Sequence, residues 1–120
     1  MVKILVVEDT PSEMKLMTLY LKDNGYQVVS ADNAKDGLSL VTKEKPDVVI
    51  TDVVMEGMNG FEFCRTLKKN PDTENIPVIA CTSRAQDLDK LWGKKQGVDV
   101  YVTKPYSQED IINAVKSVSN

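Results

Sequence analysis

Five short apolar stretches recur along the chain, at Ile4–Val7, Gln27–Ala31, Val48–Thr51, Val78–Cys81 and Asp99–Val102. Most are rich in valine and isoleucine and are bounded by turn or polar residues, which favours strands over buried helix segments. The first, third and fourth are nearly continuous in apolar residues, as strands buried on both faces of a parallel sheet are. Between them the apolar residues return every three or four positions, the period of an amphipathic helix. Thr10-Pro11-Ser12-Glu13 reads as a capping box with proline at the first helical position, followed by a stripe of Met14, Met17 and Leu21. Asn33 caps a second helix carrying Ala34, Leu38 and Val41, and Asn59 a third carrying Phe63 and Leu67. Ser83 opens a fourth through Leu88, Leu91 and Trp92, and Ser107 a fifth with Ile111, Val115 and Val118 on one face. Strand and helix alternate five times, which predicts an α/β fold: a doubly wound five-stranded parallel sheet with helices on both faces and right-handed crossovers. The flavodoxin-like strand order 2-1-3-4-5 is expected. No linker, repeat or low-complexity stretch divides the chain, so a single domain over residues 1–120 is expected.

Composition narrows the chemistry. With 120 residues, 42% hydrophobic and 28% charged, the chain can bury one core without disulfide or metal staples. A net charge of −3 gives no basic surface for nucleic acid. No apolar run approaches the ~20 residues of a membrane span, and the N-terminal run is interrupted by acids, so a cytoplasmic protein is expected. The two cysteines, Cys64 and Cys81, lack metal-ligand spacing and read as small buried hydrophobes. There is no histidine, which excludes an intrinsic Ser-His-Asp or Cys-His site. Any bound metal must then be held by oxygen, which favours Mg²⁺ or a similar hard cation.

Ligands of doubly wound sheets sit outside the C-terminal ends of the strands. Those ends carry Glu8 and Asp9 after the first strand, Asp52 after the third, Thr82 and Ser83 after the fourth, and Lys104-Pro105 after the fifth. Asp32, after the second, belongs to the sheet edge and should lie apart. Taken singly, each acid is an ordinary solvated turn residue; the joint pattern is far more specific. If the first and third strands are neighbours, Glu8, Asp9 and Asp52 converge, and like charges that close require neutralisation. A divalent cation supplies it, with Asp9 and Asp52 as direct ligands, the backbone carbonyl of Val54 as a third, and Glu8 through water. The same geometry suits phosphoryl transfer: Asp52 as nucleophile, Lys104 facing the phosphoryl oxygens and Thr82 donating a hydrogen bond. The donor must come from another molecule.

At these residues the sequence resembles the bacterial two-component response-regulator receiver family, the CheY-like domains. The resemblance covers the whole chain and rests on ILVVED, VVITDVVMEGMNG, PVIACTS and GVDVYVTKP. It implies Asp52 as phosphoacceptor, Glu8 and Asp9 as acidic Mg²⁺ residues, Thr82 as switch hydroxyl, Lys104 as phosphate-contacting lysine, Tyr101 as aromatic switch, and a cis Lys104–Pro105 bond. It implies a phosphoacceptor signalling protein, with self-catalysed phosphoryl transfer and autodephosphorylation, rather than an enzyme. The expected partner is a histidine kinase or phosphotransfer protein; with no effector domain in the chain, output runs through contacts with a downstream protein or through competition for phosphate. A monomer is the default. Two departures stand out. Glu56 occupies a place where the family usually has proline, and Arg84 and Val54 hold positions thought to tune the phosphoryl lifetime. The stretch CTSRAQDLDKLWGKKQGVDVYVTKPY is similar to the PilH-type regulators of twitching motility or phototaxis, chiefly through Trp92-Gly93 and Gln96-Gly97. Three other classes are weighed against this one. A receiver-shaped interaction scaffold that takes no phosphate would not need the intact set of Asp9, Asp52, Thr82 and Lys104. A haloacid-dehalogenase-type phosphohydrolase wants a second acid at Val54. A flavin carrier wants a phosphate loop where Glu8-Asp9-Thr10-Pro11 is acidic.

Overall fold

The computed structural model describes residues 1–83 and 96–119. The helix expected from Ser83 through Leu88, Leu91 and Trp92, with Arg84 and Gly93, lies outside the described residues after Ser83. The described elements run β1 (Lys3–Val7), α1 (Pro11–Asp23), β2 (Gln27–Ala31), α2 (Ala34–Glu44), β3 (Val48–Asp52), α3 (Gly60–Lys69), β4 (Val78–Thr82), β5 (Val100–Thr103) and α4 (Gln108–Val118). The five strands form one parallel sheet in the order β2-β1-β3-β4-β5, as expected.

The apolar strands behave as their composition requires. All five residues of β3 and of β4 are buried, and four of the five of β1. The edge strands β2 and β5 are only partly covered. Successive side chains point to opposite faces, so the core divides in two. Leu5, Val7, Val49, Val78 and Ala80 pack against Val41 of α2 and Phe63 and Leu67 of α3. Ile4, Val6, Val48, Ile50, Ile79 and Cys81 pack against Met17 and Leu21 of α1 and Ile111 and Val115 of α4. Both cysteines are buried within these layers; burial pushes the Cys64 thiol up to about 11 and the Cys81 thiol to about 12, so each remains a neutral apolar group.

Among the described helices, the starts follow the expected signals with one exception. Asn33 and Asn59 accept the backbone N–H of Asp36 and Glu62, and Ser107 forms a reciprocal capping box with Asp110. Thr10 is the N-cap of α1, but its side chain makes no capping bond. Its backbone N–H donates to Glu8 Oε2 at 3.1 Å, and Glu13 turns to Lys104 instead of back to Thr10. The carboxylate of Glu8 has taken the capping partner's place.

Candidate phosphoacceptor site

Parallel pairing brings the strand ends to one edge of the sheet. Val7 lies beside Thr51, and Asp52 beside Cys81, so the residues that follow β1 and β3 share a cleft. Asp52 is the last residue of β3 and is 9% exposed. Its Oδ1 accepts the N–H of Val53 at 2.8 Å, and its Oδ2 stands 3.3 Å from the ammonium of Lys104. One oxygen is thus anchored to the chain and the other faces a cation. The carboxylate borders an open cleft of about 450 Å³ lined by Glu13, Asp52, Val54, Ser83, Lys104 and Pro105. A larger groove of about 590 Å³ runs beside β2 and contains Asp32, which lies apart from Asp52 as expected. That groove has mixed polarity and no converging acids of the kind found at the cleft.

Gly60 sets how closely α3 can approach this strand end. Its N–H donates to the carbonyl of Val53 at 2.9 Å. A Cβ at that position would collide with the carbonyl oxygen of Asp52 and lie 2.9 Å from the Cα of Val53. Only glycine permits the approach.

Lys104 follows β5 and is joined to Pro105 by a cis peptide bond. Its N–H donates to the carbonyl of Thr82 at 2.8 Å, tying it to the end of β4. The ammonium contacts three carboxylates: Glu13 at 2.7 Å, Glu8 at 3.2 Å and Asp52 at 3.3 Å. Burial pulls its pKa down, but the hydrogen bond to Glu13 and the charges of Asp52 and Glu8 outweigh this and hold it above the ordinary lysine value. Glu8 is 5% exposed. Burial first, then the charge of Asp52, raises its pKa from 4.5 to about 7, against the opposing pull of the Thr10 N–H and Lys104.

Among the described residues, one group of acids places a ligand atom from each member within 4.8 Å of the others, and it consists of Glu8, Glu13 and Asp52. Glu8 and Asp52 were expected there. Asp9 is not in that group; its carboxylate accepts the N–H of Glu56 at 3.4 Å. Glu13 was missed, because three residues after Thr10 it completes a capping-box pattern that claimed it for the helix end. Val54 lines the cleft and is 58% exposed. Thr82 ends β4 and is 2% exposed. Tyr101 is half-buried on β5, with its ring edge-on to Phe61 at a centroid distance of 6.3 Å. Tyr106 is half-buried too and meets Tyr20 edge-on at 6.4 Å. Met55 is buried and Met58 partly so, both in the layer beneath the loop after Asp52.

The donor set fits a hard divalent cation. Every available ligand atom is oxygen, and three carboxylates share a single ammonium, which leaves negative charge there in excess.

Comparison with known proteins agrees with this geometry. The chain is 46% identical over 118 residues to protein PilH of Pseudomonas aeruginosa, covering 98% of each chain. It superposes on the chemotaxis protein CheY4 of Vibrio cholerae with a TM-score of 0.94 at 30% identity, covering 98% of each chain. A receiver domain protein from Clostridium thermocellum matches with a TM-score of 0.90 at 30% identity, over 100% of this chain and 95% of that one. The response regulator receiver domain family matches residues 4–116, from within β1 to within α4. The family match spans nearly the whole chain and the solved receivers share its fold, so this chain belongs to the response regulator receiver domain family.

Proposed function

We propose that residues 1–120 act as a single receiver domain in which Asp52 accepts a phosphoryl group, in a Mg²⁺-dependent reaction, from a partner histidine kinase or phosphotransfer protein. The observation that carries this reading is the placement of Asp52: one carboxylate oxygen anchored by Val53, the other open to the cleft beside Lys104. In-line attack needs an oriented nucleophile and fixed positive charge facing the transferring oxygens.

Mg²⁺, when held by Asp9, Asp52 and the Val54 carbonyl, with Glu8 acting through water, supplies charge that offsets the developing phosphoryl oxyanions. The rest falls to the chain. Asp52 Oδ2 attacks phosphorus and the donor's leaving group departs with its electron pair. Lys104 exchanges a carboxylate for a phosphoryl oxygen. Thr82, at the end of the neighbouring strand, donates its hydroxyl to another. Autodephosphorylation reverses the bond to Asp52 with water as attacking group.

The likeness to PilH supports a place in a pilus-motility or phototaxis chemosensory pathway, with output through protein contacts. Movement of Thr82 towards the phosphoryl vacates space beside β4, and Tyr101 turns inward, changing the face that β5 shares with its flanking helices. A monomeric, cytoplasmic protein suits this role; no helix among the described residues is long and apolar enough to cross a membrane. Incubation with Mg²⁺ and acetyl phosphate, read by intact mass, tests the proposal. Wild type gains one phosphoryl and Asp52→Asn gains none. Equal labelling of the two proteins overturns it.

A further inference from the structure

We infer that Glu13 is a positioning residue of this site: its carboxylate tethers the ammonium of Lys104 and has to release it before Lys104 can serve a phosphoryl group. The inference rests on the proposed role of Asp52, and its ground is the arrangement around Lys104. An ammonium has three protons to donate. Here three carboxylates face it, with hydrogen bonds to Glu13 at 2.7 Å and Glu8 at 3.2 Å and the Asp52 oxygen at 3.3 Å. A phosphoryl group that arrives while Asp52 is still ionised competes with these three carboxylates for the ammonium.

The three are not equally replaceable. The side chains of Glu8 and Asp52 are 6% and 10% exposed, and that of Glu13 is 36% exposed at the rim of the cleft. Water can replace the ammonium at Glu13 but hardly at Glu8, where an unpaired buried carboxylate would remain. The Glu13 pair, although the shortest of the three contacts, is therefore the easiest to give up. Glu13 also sets a negative charge at the entrance that an anionic donor must pass. It lies on the first turn of α1, and the Thr10 N–H that would have turned it back donates to Glu8 instead.

The tether predicts a gain when Glu13 loses its charge, whereas a carboxylate serving as a cation ligand predicts a loss. Two measurements on the full chain separate these. In the first, Lys104 reactivity is read by competitive trace acetylation with acetic anhydride, without donor or metal. Glu13→Gln raises labelling of Lys104 relative to the other lysines by about threefold, the range of an exposed pair, while Glu13→Asp, which keeps the charge, recovers part of the wild-type protection. In the second, with saturating Mg²⁺, Glu13→Gln reaches half-maximal phosphorylation at roughly one third of the acetyl phosphate that wild type needs, and this gain disappears in the Lys104→Met background. Unchanged Lys104 labelling, slower phosphorylation of Glu13→Gln, or an equal gain with and without Lys104 overturns the tether. If wild type takes no phosphoryl while Glu13→Gln still exposes Lys104, the role of Asp52 falls and the tether stands.

Discussion

Glu8 is the most constrained side chain of the site. It is buried, beside Asp52, and held by one backbone N–H and one ammonium. Its pKa of about 7 against an ordinary 4.5 means that folding favours its protonated form. The stability from this group is fully present below pH 4.5 and is lost as pH rises through about 7. In chelator, urea unfolding should therefore show a decline on the order of 1–3 kcal/mol across that window. Glu8→Gln should abolish the decline, and an unaltered slope in that variant would contradict the assignment. Mg²⁺ should reverse the sign, because a cation favours the ionised carboxylates, so its stabilisation should grow from pH 5 to pH 8. At this scale the sequence reveals which acids stand at strand ends but not which way they turn. Asp9 and Glu13 illustrate the gap. Both follow β1 within a few residues, yet Glu13 meets Lys104 and Asp9 meets the Glu56 N–H. The N–H of residue 56 exists only because proline is absent there. Nothing local in the sequence assigns Glu13 to a lysine 91 residues away.

The elements themselves were largely readable. All five strands lie within a residue or so of the positions that the valine and isoleucine runs indicate, most plainly β1, β3 and β4, where burial on both faces leaves little room for polar residues. β5 begins at Val100 rather than Asp99, since Asp99 is occupied at the strand's entrance: its Oδ2 accepts the Val78 N–H at 2.8 Å and pairs with Lys68 at 3.2 Å. Caps separate cleanly by chemistry. Ser107→Ala removes the hydroxyl that accepts the Asp110 N–H in a working box and should cost about 1 kcal/mol in urea unfolding. Thr10→Ala removes no capping bond and should stay within about 0.5 kcal/mol of wild type. Similar losses in both would show that the Thr10 hydroxyl caps α1 after all. The junction of β3 and α3 is tighter. Gly60→Ala drives a Cβ into the backbone of Asp52 and Val53, so a loss of about 1–3 kcal/mol is expected, with slower phosphorylation at a given stability. Full activity in that variant would mean that α3 can shift without moving the acceptor.

On the scale of the molecule, the sheet serves as a rigid plate that presents five loops on one edge. Two apolar layers clamp it from both sides, and the proposed switch runs from the cleft along β4 and β5. Thr82 and Tyr101 sit on those two strands, with Ala80 rather than Thr82 directly beside Tyr101. If that route carries the signal, Thr82→Ala should still take up phosphoryl but lose most of the phosphorylation-dependent change in the environment of Tyr101, followed by side-chain NMR. An undiminished change would sever the link. Everything rests on the covalent chemistry of one residue. After acetyl phosphate and Mg²⁺ treatment, borohydride reduction of the protein followed by peptide mapping reports directly where an acyl phosphate formed. Conversion of residue 52 alone to homoserine is the expected result; a reduced acid at any other position, or none in a protein shown to fold and bind Mg²⁺, contradicts the account.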